Sequence, residues 1–229
     1  MRYTTYCLLT ALTLSGCISV SEPTIQKGPD AEIILGGLHR VDNSRVALSY
    51  VDPNADFSRY SRVIVDPLGV DNVEIIKPNM RNSASNRARN ANWELSDADK
   101  AKLREAFAAS MRTQLEEKGD YPLVGQADDD VLRVTAVLTA LEPTAPPDDF
   151  QSRSLGRGRV YTEGGGTVYI TISFSDSESG EILALVKDEK SNSAMWGVNN
   201  SVSNMGDVKF MFNSWAKMIR ARLDIIHGH

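Results

Sequence analysis

Cysteine is almost missing from this chain: the 229 residues hold two, Cys7 and Cys17, both at the extreme N-terminus. Nothing after residue 17 can form a disulfide, act as a thiol nucleophile or build a Cys-based zinc site. Histidine is nearly as scarce, with His39, His227 and His229 alone. His227 and His229 are expected to fray at the terminus, and no Gly-x-Ser-x-Gly elbow supplies His39 with a serine to activate. The charge is mildly acidic, −5, with no basic cluster. That excludes nucleic acid as a partner and leaves no electrostatic grip on anionic lipid. Past the N-terminus no apolar run approaches the roughly 18 residues that a spanning helix needs. Asp128-Asp129-Asp130 lacks the alternating spacing, turn glycine and distal Glu of a calcium loop, and reads as a strand separator. Gly156-Arg157-Gly158 and Gly164-Gly165-Gly166 are not followed by a helix, as a phosphate-cradling loop must be. No cofactor and no metal are expected.

What is present begins with an address. Arg2 precedes an apolar run, Cys7 to Leu14, of the length of a signal-peptide core. The run ends at Leu14-Ser15-Gly16-Cys17, which resembles the lipobox of bacterial lipoproteins. There the thiol is acylated with diacylglycerol, and cleavage makes that Cys the mature N-terminus. The resemblance implies that 1–16 is a signal peptide and that Cys17 is the lipid-attachment residue, with the membrane reached through that lipid. Ile18 stands where an Asp typically retains such proteins of enteric bacteria in the inner membrane, which implies the outer membrane, facing the periplasm. Residues 17–30 have little periodicity and read as a tether, leaving 31–229 as a single domain. Ile33, Ile34, Leu35 and Leu38 are too apolar for a free tether and should dock on it.

Strands are expected over Val46–Val51, Ser61–Asp66 and Val73–Ile76, each stopped by a proline. Asn79 to Asn92, with Arg81, Arg87 and Arg89, is a polar loop. Ser96 and Asp99 frame the start of a helix with a capping-box spacing, and Leu103, Phe107, Met111 and Leu115 give it one apolar side. Gly119 should end it in a left-handed conformation. Leu132–Ala140 and Val168–Phe174 alternate apolar and polar residues, as antiparallel strands covered on one face do. Gly180 permits a hairpin turn into a return strand, Ile182–Val186. A second helix from about Gly206 has the stripe Val208, Met211, Phe212, Trp215, Ile219, Leu223 and Ile226. The expected fold is therefore α+β: a mostly antiparallel sheet of five or six strands with two amphipathic helices packed on one face.

In this frame the chain resembles the Gram-negative lipoproteins of domain-of-unknown-function family 3313. The residues that carry the resemblance are Gly37-Leu38, Tyr50-Val51-Asp52-Pro53, Asp56-Phe57-Ser58, Tyr60 and Val63 to Pro67. Further along they are Leu141-Glu142-Pro143, Asp176-Ser177, Gly180 to Ala184, Asp188, Trp215-Ala216 and Leu223-Asp224. The resemblance implies location and an α+β fold, and no activity.

Two functional readings follow. Tyr50, Tyr60, Trp93, Tyr161 and Tyr169 can line a groove on the uncovered face of the sheet. Tyr161 and Tyr169 are the candidate interaction face for another envelope protein or a cell-wall polymer, in a non-catalytic binding or scaffolding module. The alternative is a small envelope hydrolase whose carboxylates, among Asp52, Asp56, Asp66 and Asp71, converge at the early strand ends.

Overall fold

The computed structural model describes residues 21–76, 94–142, 161–163, 166–191, 196–198 and 201–228, with side chains left out for 161–163, 196–198 and 201–204. Cys17, the signal segment, the arginine-bearing stretch Asn79 to Asn92, Trp93, the glycine motif at 156–158 and His229 lie outside the described residues.

The sheet is wider than the sequence pattern suggests, nine strands rather than five or six. Along its main path the order is β1 (Thr24–Ile25), β3 (Leu38–Asp42), β4 (Leu48–Val51), β10 (Ile182–Ser191), β9 (Thr167–Asp176), β7 (Val131–Glu142) and β5 (Arg62–Val65). Two more strands pair at its edges: β2 (Ile33–Ile34) with β3, and β6 (Glu74–Ile75) with β7. Pairing is antiparallel except for β5 and β6, which both run parallel to β7. A separate two-stranded ribbon joins β8 (Tyr161–Glu163) to β11 (Trp196–Val198).

Two helices cover one face. α1 (Asp97–Arg112) starts in a full capping box, in which Ser96 Oγ accepts from the Asp99 amide and Asp99 accepts back from the Ser96 amide. It leaves through a π-helical turn, Thr113–Glu117. Gly119 is not left-handed, contrary to expectation. Its reason is space, because a Cβ there would sit 2.8 Å from the Leu115 carbonyl oxygen and 3.0 Å from Arg220 Cδ. α2 (Ser201–His227) starts earlier than expected and runs for 27 residues, about 40 Å.

Register puts Leu132, Val134, Ala136 and Leu138 of β7 on one face with Ile170, Ile172 and Phe174 of β9. Against these pack Leu103, Phe107 and Met111 of α1 and Phe212, Trp215 and Ile219 of α2. Phe107 meets Phe212 edge-on at 5.5 Å between centroids. Trp215 also donates its indole N–H to the buried Asp188 carboxylate at 2.7 Å, and Asp188 takes the Ala47 amide at 3.0 Å. One side chain of β10 thus ties α2 to the segment that enters β4.

Candidate functional site

Strand spacing explains where the two layers fail to match. Seven strands at about 4.8 Å apart span about 29 Å, whereas two packed helices cover about 20 Å. The β1–β3–β4 wing therefore overhangs the helical layer, and a cavity of about 310 Å³ lies between that wing and the C-terminal half of α2. Its volume lies at the lower end of the ligand-pocket range.

The floor is made by Leu132, Ile219 and Leu223, all buried. Half-buried Val51, Phe174 and Val186 form the sheet wall. Ser49 and Ala184 lie on that same wall, where larger side chains would fill the space. Ile25 of β1 and Val41 of β3, cross-strand partners, close the far side. At the mouth stand the exposed Pro23, Arg45, Arg222 and Ile226. No carboxylate, histidine or lysine lines the cavity among the described residues, so it offers shape and apolar surface rather than acid–base chemistry.

The N-terminal stretch shapes this mouth. The sheet begins within the segment whose composition marks a tether: Thr24 and Ile25 pair with Asp42 and Val41. Gln26 Nε2 donates to Asp42 at 2.9 Å, and His39 Nδ1–H donates to the Gln26 carbonyl at 2.8 Å. Leu38 docks as expected, at 1% exposure, but Ile33 and Leu35 do not, at 51% and 61%.

The sequence-derived candidates fall elsewhere. The expected aromatic groove does not form from Tyr50 and Tyr60, since both are buried. Tyr50 donates its hydroxyl to Glu32 at 2.5 Å, a bond that with burial holds its pKa up while lowering that of Glu32. Tyr60 lies in the core with its hydroxyl on Asp176 Oδ2 at 3.0 Å, and burial together with that carboxylate pushes its pKa up to about 12. Tyr169 stands half-buried on the open face, opposite Glu189, and its phenol is held up first by burial and then by Glu189 and Glu142. Tyr161 has its backbone in β8, while its side chain lies outside the described residues.

The four early aspartates each serve a local structure. Asp52 accepts from the Asn54 amide at 2.8 Å, and Asp56 caps the 3₁₀ turn Phe57–Arg59 through the Ser58 amide at 3.0 Å. Asp66 holds Arg133 at 2.8 Å and Thr135 at 2.6 Å, while Asp71 pairs with Arg104 at 3.0 Å. Asp128, Asp129 and Asp130 do bring their oxygens within 4.8 Å of one another. Arg62 occupies two of them, however, and with Ser61 draws the pKa of Asp130 down to about 2. The run is a clamp at the entry to β7. His227 is not frayed: its ring is 5.7 Å from Tyr121, and its Nδ1–H donates to the Leu223 carbonyl at 2.9 Å.

The fold and cavity define a two-layer α+β domain with an apolar pocket beneath one wing of its sheet. The chain belongs to the family described as "Protein of unknown function (DUF3313)", whose model matches residues 37–219. A search of curated proteins finds no match. Among solved structures, a Xanthomonas campestris protein of family DUF330 is 9% identical, with 74% of this chain and 86% of that one covered and a TM-score of 0.43. A PelC dodecamer from Paraburkholderia phytofirmans is 8% identical, covering 72% and 91%, with a TM-score of 0.34. A minor lipoprotein from Acinetobacter baumannii is 10% identical, covering 74% and 94%, with a TM-score of 0.32. No helix among the described residues is long and apolar enough to cross a membrane.

Proposed function

We propose that this protein is a non-catalytic lipoprotein of the outer membrane, anchored at Cys17 after loss of 1–16, which holds the acyl chain of a ligand in the cavity beneath its β1–β3–β4 wing. The observation that carries the reading is the cavity itself: about 310 Å³, lined mostly by apolar side chains, with no carboxylate, histidine or lysine among its described lining residues. An apolar cavity about half this size already takes up benzene, so this one has room for about a dozen carbons of a chain. The open face of the sheet, with Tyr169 and the exposed Val137, is where we place any contact with another envelope protein or a cell-wall polymer; Tyr161 belongs to that reading only through its sequence.

Native mass spectrometry of the lipidated protein, released gently from membranes, tests the cavity. Wild-type protein should carry an additional acyl-containing molecule, and Ala184→Phe, which fills the sheet wall, should lose it. An empty wild-type protein, or equal loading of both, would overturn the reading. In the same preparation Cys17→Ser should remove the lipid mass and leave the signal segment attached.

A further inference from the structure

The mouth of the cavity carries charge of one sign without its counterpart. Arg45, in the loop before β4, and Arg222, on α2, both line the cavity and both are exposed. Nine arginines lie among the described residues, and seven of them form salt bridges with Asp or Glu. Arg45 and Arg222 are the two that do not, and neither guanidinium makes a hydrogen bond within the described residues. They come from segments 177 residues apart and meet only at this opening. No acid lines the cavity among the described residues to neutralise them. A guanidinium has a planar fork of donors suited to phosphate, and it sheds water more readily than an ammonium. Two such groups above an apolar chamber describe a receptor for an anion attached to a hydrocarbon chain.

The position of the mouth supplies the source. Pro23 stands at its edge, six residues after Cys17. Fully extended, six residues reach about 20 Å, so a domain anchored at Cys17 holds this opening within that distance of the lipid surface. The lip is itself apolar, with Ile226 and its neighbour Ile225 exposed by 41% and 66%. The chain's own lipid offers the arginines nothing to pair with, because its diacylglyceryl thioether is uncharged.

We infer that the cavity receives one acyl chain of an anionic phospholipid from the membrane that anchors the protein, with the phosphate held between Arg45 and Arg222. This rests on the acyl-chain reading above and adds the headgroup and the source.

The test uses lipidated full-length protein in proteoliposomes doped with either phosphatidylglycerol or diacylglycerol, which lacks the phosphate, each with a photoreactive diazirine in one acyl chain. Labelled peptides are mapped by mass spectrometry. The expected result is labelling of cavity-lining peptides from β10 and α2 about fivefold stronger with phosphatidylglycerol. Arg45→Gln combined with Arg222→Gln, two exposed positions that leave the packing untouched, should erase that preference. Ala184→Phe, which keeps both arginines, should abolish cavity labelling by either lipid. Equal labelling of the wild-type cavity by both lipids would overturn the headgroup assignment and leave the acyl-chain reading standing. Absence of cavity labelling by either lipid would overturn both. Preference that persists in the double arginine variant would assign selectivity to other residues and so refute this proposal.

Discussion

Trp215 separates packing from hydrogen bonding within one side chain. It is 1% exposed, lies against Phe212 at 6.2 Å, and donates its indole N–H to Asp188 Oδ2 at 2.7 Å. Asp188 is 9% exposed, and Lys190 Nζ is 3.6 Å from the same oxygen. Trp215→Ala removes the ring and the donor together, which should cost about 3–5 kcal/mol. Trp215→Phe keeps most of the packing and deletes the donor, leaving one lone pair of a buried carboxylate unanswered. Hydrogen bonds to charged groups contribute about 1.5–3 kcal/mol, so that variant should fall by this amount. In a domain of this size, 1 kcal/mol moves the melting temperature by about 2–4 °C, giving a drop of about 3–12 °C. Denaturation followed by far-ultraviolet circular dichroism reads it without relying on the fluorophore that has been removed. Asp188→Ala, which removes the acceptor, completes a cycle with Trp215→Phe, and its coupling energy should reach about 1 kcal/mol or more. A Trp215→Phe protein as stable as wild type, or a coupling near zero, would refute the assignment of Asp188 as the partner that fixes α2 on the sheet.

Asp176 gives a pH test. Amides of Ser179 and Glu178, the Ser179 hydroxyl and Tyr60 all donate to its carboxylate, and the Ser179 amide contributes most to drawing its pKa from 3.8 down to about 2, against the effect of burial. A folded-state value below the unfolded one stabilises the fold above pH 3.8, and that stability disappears as the pH falls through 2. At 1.36 kcal/mol per pH unit it amounts to about 2 kcal/mol. The stability of Asp176→Asn should therefore fall less steeply than wild type between pH 4 and 2, and parallel curves would contradict this. Gly119→Ala should cost about 1–3 kcal/mol because its Cβ would sit 2.8 Å from the Leu115 carbonyl oxygen, whereas Gly125→Ala, with open space around it, should stay within about 0.5 kcal/mol of wild type. Equal melting temperatures for the two variants would remove close approach as the reason for Gly119.

The elements legible in the sequence are those whose periodicity is produced by one buried face. β7, β9 and both helices carry an unbroken apolar stripe, and they form as that stripe requires. β10 extends five residues past the expected Val186 because its inward residue there is Asp188, a carboxylate in an apolar position, which hides the alternation. Tyr60 shows the reverse case. Its ring is core and its hydroxyl is answered by Asp176, a partner 116 residues away that local sequence cannot announce.

The cavity was hidden by the same missing strands that widen the sheet. β1 and β2 are two residues each, too short for any period to register, and β3 carries His39, Arg40 and Asp42 among its five residues. Without them the expected sheet of five or six strands spans about 19–24 Å, close to the width that two helices cover, and no wide space between the layers is implied. Adding the wing changes that geometry, and small residues at Ser49 and Ala184 keep the added space open. A composition-based reading sees Pro23 and Ile25 as tether and gives Arg45 no role. Only the pairing of β1 with β3, and the reach of α2 to His227, place them around one opening. The site is therefore a property of layer widths rather than of a motif, and the residues to substitute are those that set the width and the rim.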